Sequence, residues 1–248
     1  MPAKHTISTT IKLNSGTYPV KVFFENRSAA RAAVGTKQLI LRCPLFLSKP
    51  QKAQTWTWFM DWLRKVEQEN NAALRHLQSK PYVNGSSLKV GERIYTLYIK
   101  EENRKSIGGK LTKEKNIEIK LPKGITSFER SQVIKTTCSR LVAKDYLPTI
   151  KNRVFELNQQ HFQKEIKDVK LKYNSSNWGS CSSNKIINLS TRLLFAPAAV
   201  IDYVIIHELA HLVEANHSKR FWDLVASKMP EYQKHEDWLK KNGRKLDF

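Results

Sequence analysis

His207-Glu208-Leu209-Ala210-His211 sets two imidazoles four residues apart with a carboxylate between them. On an α-helix this spacing stacks both rings on one face, where a single divalent ion can bridge them. Glu208 falls on an adjacent sector, within reach of a water held by such an ion. Zinc lowers the pKa of its water to about 7, so Glu208 is the expected general base of a hydrolytic reaction. Val204, Ile205, Ile206, Leu209, Ala210, Leu212 and Val213 make this helix apolar nearly all round, which predicts that it is buried. Three polar side chains in a buried helix need partners, and a metal with its water supplies them.

A catalytic zinc takes three protein ligands and keeps one position open. His217, six positions after His211, is the candidate third ligand. On a continuous helix it would lie off the ligand face and ~9 Å farther along, so the chain must turn between the two. Asn216 in a left-handed conformation and Ser218 as the cap of a following helix would make that turn. Glu214 shares the ligand face but lies too far along it and is expected beside the site. Glu231, His235, Glu236 and Cys181 are weaker alternatives as ligands.

The elements that must position these residues follow from hydrophobic periodicity. Residues 7–47 read as short antiparallel strands with turns near Asn14-Ser15-Gly16 and at Gly35. Trp56 to Leu77 reads as a helix, between Pro50 and Pro81, whose Trp56, Trp58 and Trp62 belong to a core. A second β section surrounds the Asn84-Gly85 turn, with strands through Leu88, Val90 and Ile94 to Ile99. Lys100 to Lys115 reads as a charged loop. Beyond Pro122-Lys123-Gly124 a long helix is predicted from Ser127 toward Phe162, bent at Pro148. Val169, Leu171 and Tyr173 mark a strand that forms a hairpin with Ile186 to Leu194 across an intervening Ser/Asn/Gly-rich turn region, and Pro197 opens the metal helix. No internal repeat is visible. The fold expected is α+β: a basic β-rich section with one helix over 1–124 and a metal-carrying domain over 125–248.

The formal net charge is +21. Residues 1–163 hold 29 Lys and Arg against 12 Asp and Glu, whereas residues 164–248 hold 14 against 10. A basic section upstream of the metal motif makes nucleic acid a candidate partner, through release of counterions. Three widely spaced cysteines argue against a disulfide framework and against a cysteine-built zinc site. Without a membrane-length apolar run or a signal-like N-terminus, the expectation is a cytoplasmic protein that does not engage a membrane.

Several spaced segments carry a resemblance: Trp178-Gly179-Ser180-Cys181, Leu193-Leu194-Phe195-Ala196-Pro197, Val204 through His211, Asn216-His217-Ser218 and Phe221-Trp222. Together they resemble the YgjP-like metallopeptidases, closely from Lys170 to Leu246 and more loosely around Val90 to Leu97. The resemblance implies a zincin-type domain related to the WLM and SprT-like proteases, with Zn2+ held by His207, His211 and His217 and Glu208 catalytic. The family commonly has Ser-Arg before the Trp-Gly-Ser-Cys segment, where this chain has Ser176-Asn177. Trp178, Gly179 and Ser180 are candidate substrate-binding residues on an edge strand that would pair with an extended peptide. The function expected is zinc-dependent hydrolysis of peptide bonds in a protein or peptide substrate. The competing expectation is a nucleic-acid-binding protein whose metal site is structural or catalytically lost.

Overall fold

The computed structural model describes residues 5–35, 38–70, 73–74, 77 and 82–248. These form two compact units, 1–81 with 126–132 and 82–125 with 133–248. The second β section therefore belongs with the C-terminal segment, whereas the sequence suggested a division at residue 124. Its strands share one continuous core with the helix that carries His207 and Glu208, which places them there.

The first unit contains β1 (His5–Leu13), β2 (Gly16–Glu25), β3 (Arg31–Val34) and β4 (Leu39–Pro44), in the order β1-β2-β4-β3. α1 (Lys49–Asn70) follows. It starts earlier than Trp56, and the predicted stretch toward Leu77 and Pro81 lies partly outside the described residues. Phe59 and Leu63, fully buried at i and i+4, face a sheet core of Tyr18, Val20, Leu39 and Leu41. Trp56 and Trp62 pack on that core on either side of Phe59, while Trp58 points outward, 45% exposed. Glu67 on α1 is buried and accepts the backbone N–H of Ser15 at 2.6 Å.

The second unit begins with β5 (Ser87–Val90), β6 (Arg93–Glu102), β7 (Gly108–Leu111) and β8 (Asn116–Pro122), ordered β5-β6-β8-β7. α2 (Ser127–His161), whose residues through 132 fall in the first unit, is a continuous helix through Pro148. Its start is fixed by a reciprocal cap, in which Glu129 N–H donates to Thr126 Oγ1 and Thr126 N–H donates to Glu129 Oε2. β9 (Asp168–Lys172), β10 (Gly179–Cys181) and β11 (Ile186–Ser190) make a third sheet, ordered β10-β11-β9. α3 (Ala198–Ala210), α4 (Lys219–Lys228) and α5 (Tyr232–Asn242) complete the five α-helices and three sheets seen among the described residues. The architecture is mixed α and β.

Two readings are corrected. The strands are not all antiparallel: β2 with β4, β6 with β8 and β9 with β11 pair in parallel, each with an antiparallel edge strand beyond. Residues 100–115 are not simply a loop, because they complete β6 and form β7, a short polar edge strand.

A repeat is also present, in topology and packing. β2 starts at 16 and β6 at 93, β3 at 31 and β7 at 108, an offset of 77 in both, and the two four-stranded sheets share the same strand order and directions. Tyr18 and Tyr95 occupy equivalent, fully buried positions. Tyr95 Oη donates to Asp145 on α2 at 2.7 Å, while Tyr18 Oη hydrogen-bonds to Ser15 Oγ, which itself bonds Glu67 on α1. Glu25-Asn26-Arg27 matches Glu102-Asn103-Arg104. Glu25 pairs with Arg27 and with Arg42 of β4, and Glu102 pairs with Arg104 and with Lys120 of β8. Few identities survive between the copies, which is why the sequence alone conceals them.

α2 is the spine of the second unit. Tyr146 Oη donates to Val90 O, Lys151 pairs with Asp168 of β9, and Arg153 grips both oxygens of Asp202 on α3 at 2.8 Å. Asp145 is mostly buried and receives Arg93, Tyr95 and Lys115. Burial pushes its carboxyl up, but the three donors outweigh that and hold it below its ordinary value. Asp145→Ala would leave two cations without their shared partner. It is expected to cost about 3 kcal/mol of stability, measured by denaturant unfolding, whereas a change under about 0.5 kcal/mol would show the cluster to be incidental.

Candidate metal centre and active-site cleft

α3 delivers His207 and Glu208 from a helix whose Val200, Val204, Ile205, Ile206, Leu209 and Ala210 are all buried. The helix closes at His211, and hydrogen bonds from Leu212, Val213 and Glu214 N–H back to Leu209 and Ala210 fold the chain into a turn. Asn216 is not left-handed, a correction to the sequence reading, since these carbonyls already terminate the helix. Ser218 has the extended backbone of an N-cap, without a side-chain capping bond, and α4 begins at Lys219. This break returns His217 to the face that carries His207 and His211.

Ring nitrogens of His207, His211 and His217 all lie within 4.8 Å of one another. His207 Nε2 and His217 Nε2 are 3.0 Å apart. An ion binding three nitrogens at about 2.0 Å needs them roughly 3.3 Å apart, close to the His207–His217 spacing and inside the limit that holds for all three. His211 Nδ1 lies 3.2 Å from Glu214 O; donating there fixes the tautomer and leaves Nε2 as the electron-pair donor. Glu214 thus contributes its backbone carbonyl beside the site. Burial first, then the neighbouring His211 and His217, push the pKa of His207 down to about 4, which favours the neutral imidazole a metal requires. Phe221, fully buried, stacks on His211 at 4.5 Å, and Trp222 stacks on His217 at 5.7 Å. These rings restrict the imidazoles on their outer side.

Glu208 is 5% exposed beside this cluster. Burial pushes its pKa up to about 8, opposed by a hydrogen bond from the backbone N–H of Cys181 on β10. β10 is an edge strand, and Gly179 lies directly against the carboxylate: a methyl group there would fall 2.6 Å from Glu208 Oε1 and 2.7 Å from its Cγ. Gly179→Ala is expected to fold and to displace the carboxylate. A misplacement of about 1 Å at a reacting group costs roughly a hundredfold in rate, so kcat of the variant is the quantity to measure. An unchanged kcat would show that Glu208 tolerates the shift.

Around these groups is a cleft of about 860 Å³, within the range of small-molecule and peptide sites. One wall is residues 176–183; the other includes Glu236, Leu239 and Lys240 of α5, with Tyr203, His207, Glu208, His211 and His217 between them. Of the candidate substrate residues, Gly179 abuts Glu208, Ser180 is exposed and accepts from Asn188, and the Trp178 indole lies against Gly243 and under the Arg192 guanidinium. Tyr203 and Asn177 line the cleft, and Tyr232 stacks on Tyr203 outside that lining. Glu231 pairs with Lys234 and Glu236 with Lys240, and neither joins the histidine cluster. Cys181 also stands outside it, its thiol pushed up by burial. The Cys181 N–H and Gly179 contacts with Glu208 escaped the sequence reading, because nothing local in Trp-Gly-Ser-Cys indicates what packs on it.

The model of the YgjP-like metallopeptidase domain matches residues 30–242. The chain belongs to this family. As a YgjP-like protein it is a metallopeptidase, and the three-histidine cluster supplies donors that could bind the metal ion the family implies. Among solved structures it is similar to the metallopeptidase zymogen jannalysin of Methanocaldococcus jannaschii, with 21% identity over 38% of this chain and 95% of that one, at a TM-score of 0.34. It is similar also to the zymogen abylysin of Pyrococcus abyssi, with 22% identity over 37% and 93% and the same TM-score. No curated protein matches. Among the described residues no helix is long and apolar enough to cross a membrane.

Proposed function

We propose that His207, His211 and His217 hold a zinc ion and that Glu208 is the general base for hydrolysis of a peptide bond. The observation carrying this is the convergence of three imidazole nitrogens beside one buried carboxylate in an open cleft. Imidazole donors in a three-ligand set suit zinc, and the tautomer of His211 and the neutral state of His207 meet its requirements. When bound, zinc supplies Lewis acidity, polarising a scissile carbonyl and making water a nucleophile near neutral pH. Glu208 then removes the proton of the attacking water and returns it to the leaving amine. Its Cys181 N–H bond and its contact with Gly179 keep the carboxylate facing the cleft.

The substrate is a protein or peptide, bound extended against β10. At that edge the residues whose backbone groups point away from β11 are Gly179 and Cys181, since Trp178 O accepts from Ser190 N–H; the Cys181 N–H is given to Glu208, which leaves Gly179 N–H, Gly179 O and Cys181 O for a substrate. Asn177 Nδ2 already donates to Gly179 O at 3.1 Å, so a substrate N–H must displace it. Three unpaired cysteines fit a reducing, cytoplasmic setting. The nucleic-acid alternative rests on the basic upstream sequence, and salt-sensitive DNA binding is its test.

Chelation of the purified protein followed by stepwise zinc addition tests the assignment. Peptide hydrolysis is expected to vanish and to return at one zinc per chain. Activity that survives metal removal would refute it.

A further inference from the structure

We infer that Arg192 is a positioning residue: it cross-ties the two walls of the cleft and, through Trp178 and Gly179, holds the Glu208 carboxylate in place. This rests on the proposed role of Glu208 as base.

Arg192 sits in the 3₁₀ turn Thr191–Phe195 between β11 and α3, and it does not line the cleft. Each of its guanidinium nitrogens serves a different main-chain carbonyl: Nε donates to Leu246 O at 2.8 Å, Nη2 to Gly243 O at 2.7 Å and Nη1 to Ser175 O at 3.1 Å. Gly243 and Leu246 lie in the segment that leaves α5, the helix contributing Glu236, Leu239 and Lys240 to one wall. Ser175 lies in the loop that enters β10, the other wall. A single planar fork therefore joins the roots of both walls, with a fixed spread over three nitrogens that a compact ammonium lacks.

The same guanidinium lies 4.5 Å over the Trp178 ring. Gly243 touches that ring too: a methyl group there would come within 2.5 Å of Trp178 Cζ2. Trp178 is thus held by both Arg192 and the bare backbone of Gly243, and the next residue is Gly179, in contact with Glu208. The segment after α5 is itself anchored: Phe248 is 1% exposed and meets Phe195 edge-on at 4.9 Å, and Asp247 accepts from Lys135 and Tyr173. The cross-tie therefore pulls against a fixed point, and its loss frees the edge strand while leaving the histidines on α3 and its following turn.

Arg192→Ala in the zinc-loaded full chain is expected to keep one zinc and to lose about a hundredfold in kcat with KM changed far less. Millimolar guanidinium, but not equal sodium chloride, should restore part of the rate by refilling the fork. Arg192→Lys should stay impaired. Gly243→Ala, which keeps every carbonyl acceptor but pushes on Trp178, is expected to reproduce the kcat loss and serves if Arg192→Ala does not fold. Independently of activity, hydrogen exchange in Arg192→Ala should quicken at 174–181 and 243–248 and remain unchanged at 207–217. Full kcat in both alanine variants, loss of zinc with loss of rate, or exchange that rises equally at 207–217 would overturn the inference. If wild type hydrolyses no peptide yet exchange changes as expected, the cross-tie stands and the proposed chemistry fails.

Discussion

Glu208→Gln is expected to lower kcat on a peptide by about 10² to 10⁴ while leaving bound zinc unchanged. Gln keeps the volume of Glu and an oxygen that can accept the Cys181 N–H, so the edge strand and the histidines have no reason to move. What it cannot do is take a proton from water. The buried carboxyl already disfavours its charged form, its pKa being pushed up to about 8 chiefly by burial, so a neutral amide removes no stabilising charge from the metal-free fold. The variant should therefore melt at or above the wild-type temperature when both are metal-free. Zinc content by elemental analysis and kcat by peptide cleavage decide the matter together. A variant with full zinc and full rate would remove Glu208 from the chemistry.

The second large effect concerns His217. It is the exposed member of the trio and lies in the turn before α4, so its removal leaves little buried surface behind. His217→Ala is accordingly expected to fold normally and to weaken zinc by more than the roughly 10- to 100-fold that changes around a ligand set cost, with activity lost in parallel. Competition with a chelator of known affinity measures this. A His217→Ala protein that holds zinc as tightly as wild type would mean that another group completes the site.

The parts of this site that local spacing governs were legible in the sequence. Two histidines at i and i+4 share a helix face for any sequence that is helical there, and an apolar surround says that the helix is buried. His217 required one further step, that the helix must break, and a break is present, though backbone turns make it without a left-handed Asn216. What stayed hidden depends on contacts between distant segments. Alternation in β2, β6 and β9 marks strands but carries no direction, so the parallel pairings with β4, β8 and β11 could not be read. Charge disguised β7 as loop, because a four-residue edge strand needs little apolar surface. The repeated sheets share Tyr18 with Tyr95 and one three-residue segment, too little to mark a repeat without the topology beside it. Arg192 and Gly243 appear ordinary in sequence and Gly179 stands out there only as a candidate substrate residue; packing reveals that the first two hold Trp178 and that the third abuts Glu208.

The most direct measurement is a zinc-edge anomalous diffraction map from crystals of the zinc-loaded protein. One peak is expected, bonded to Nε2 of His207, His211 and His217, with its fourth side open toward Glu208 and β10. A peak elsewhere, or one closed by a fourth protein ligand such as Cys181 or Glu236, would contradict a catalytic three-histidine centre.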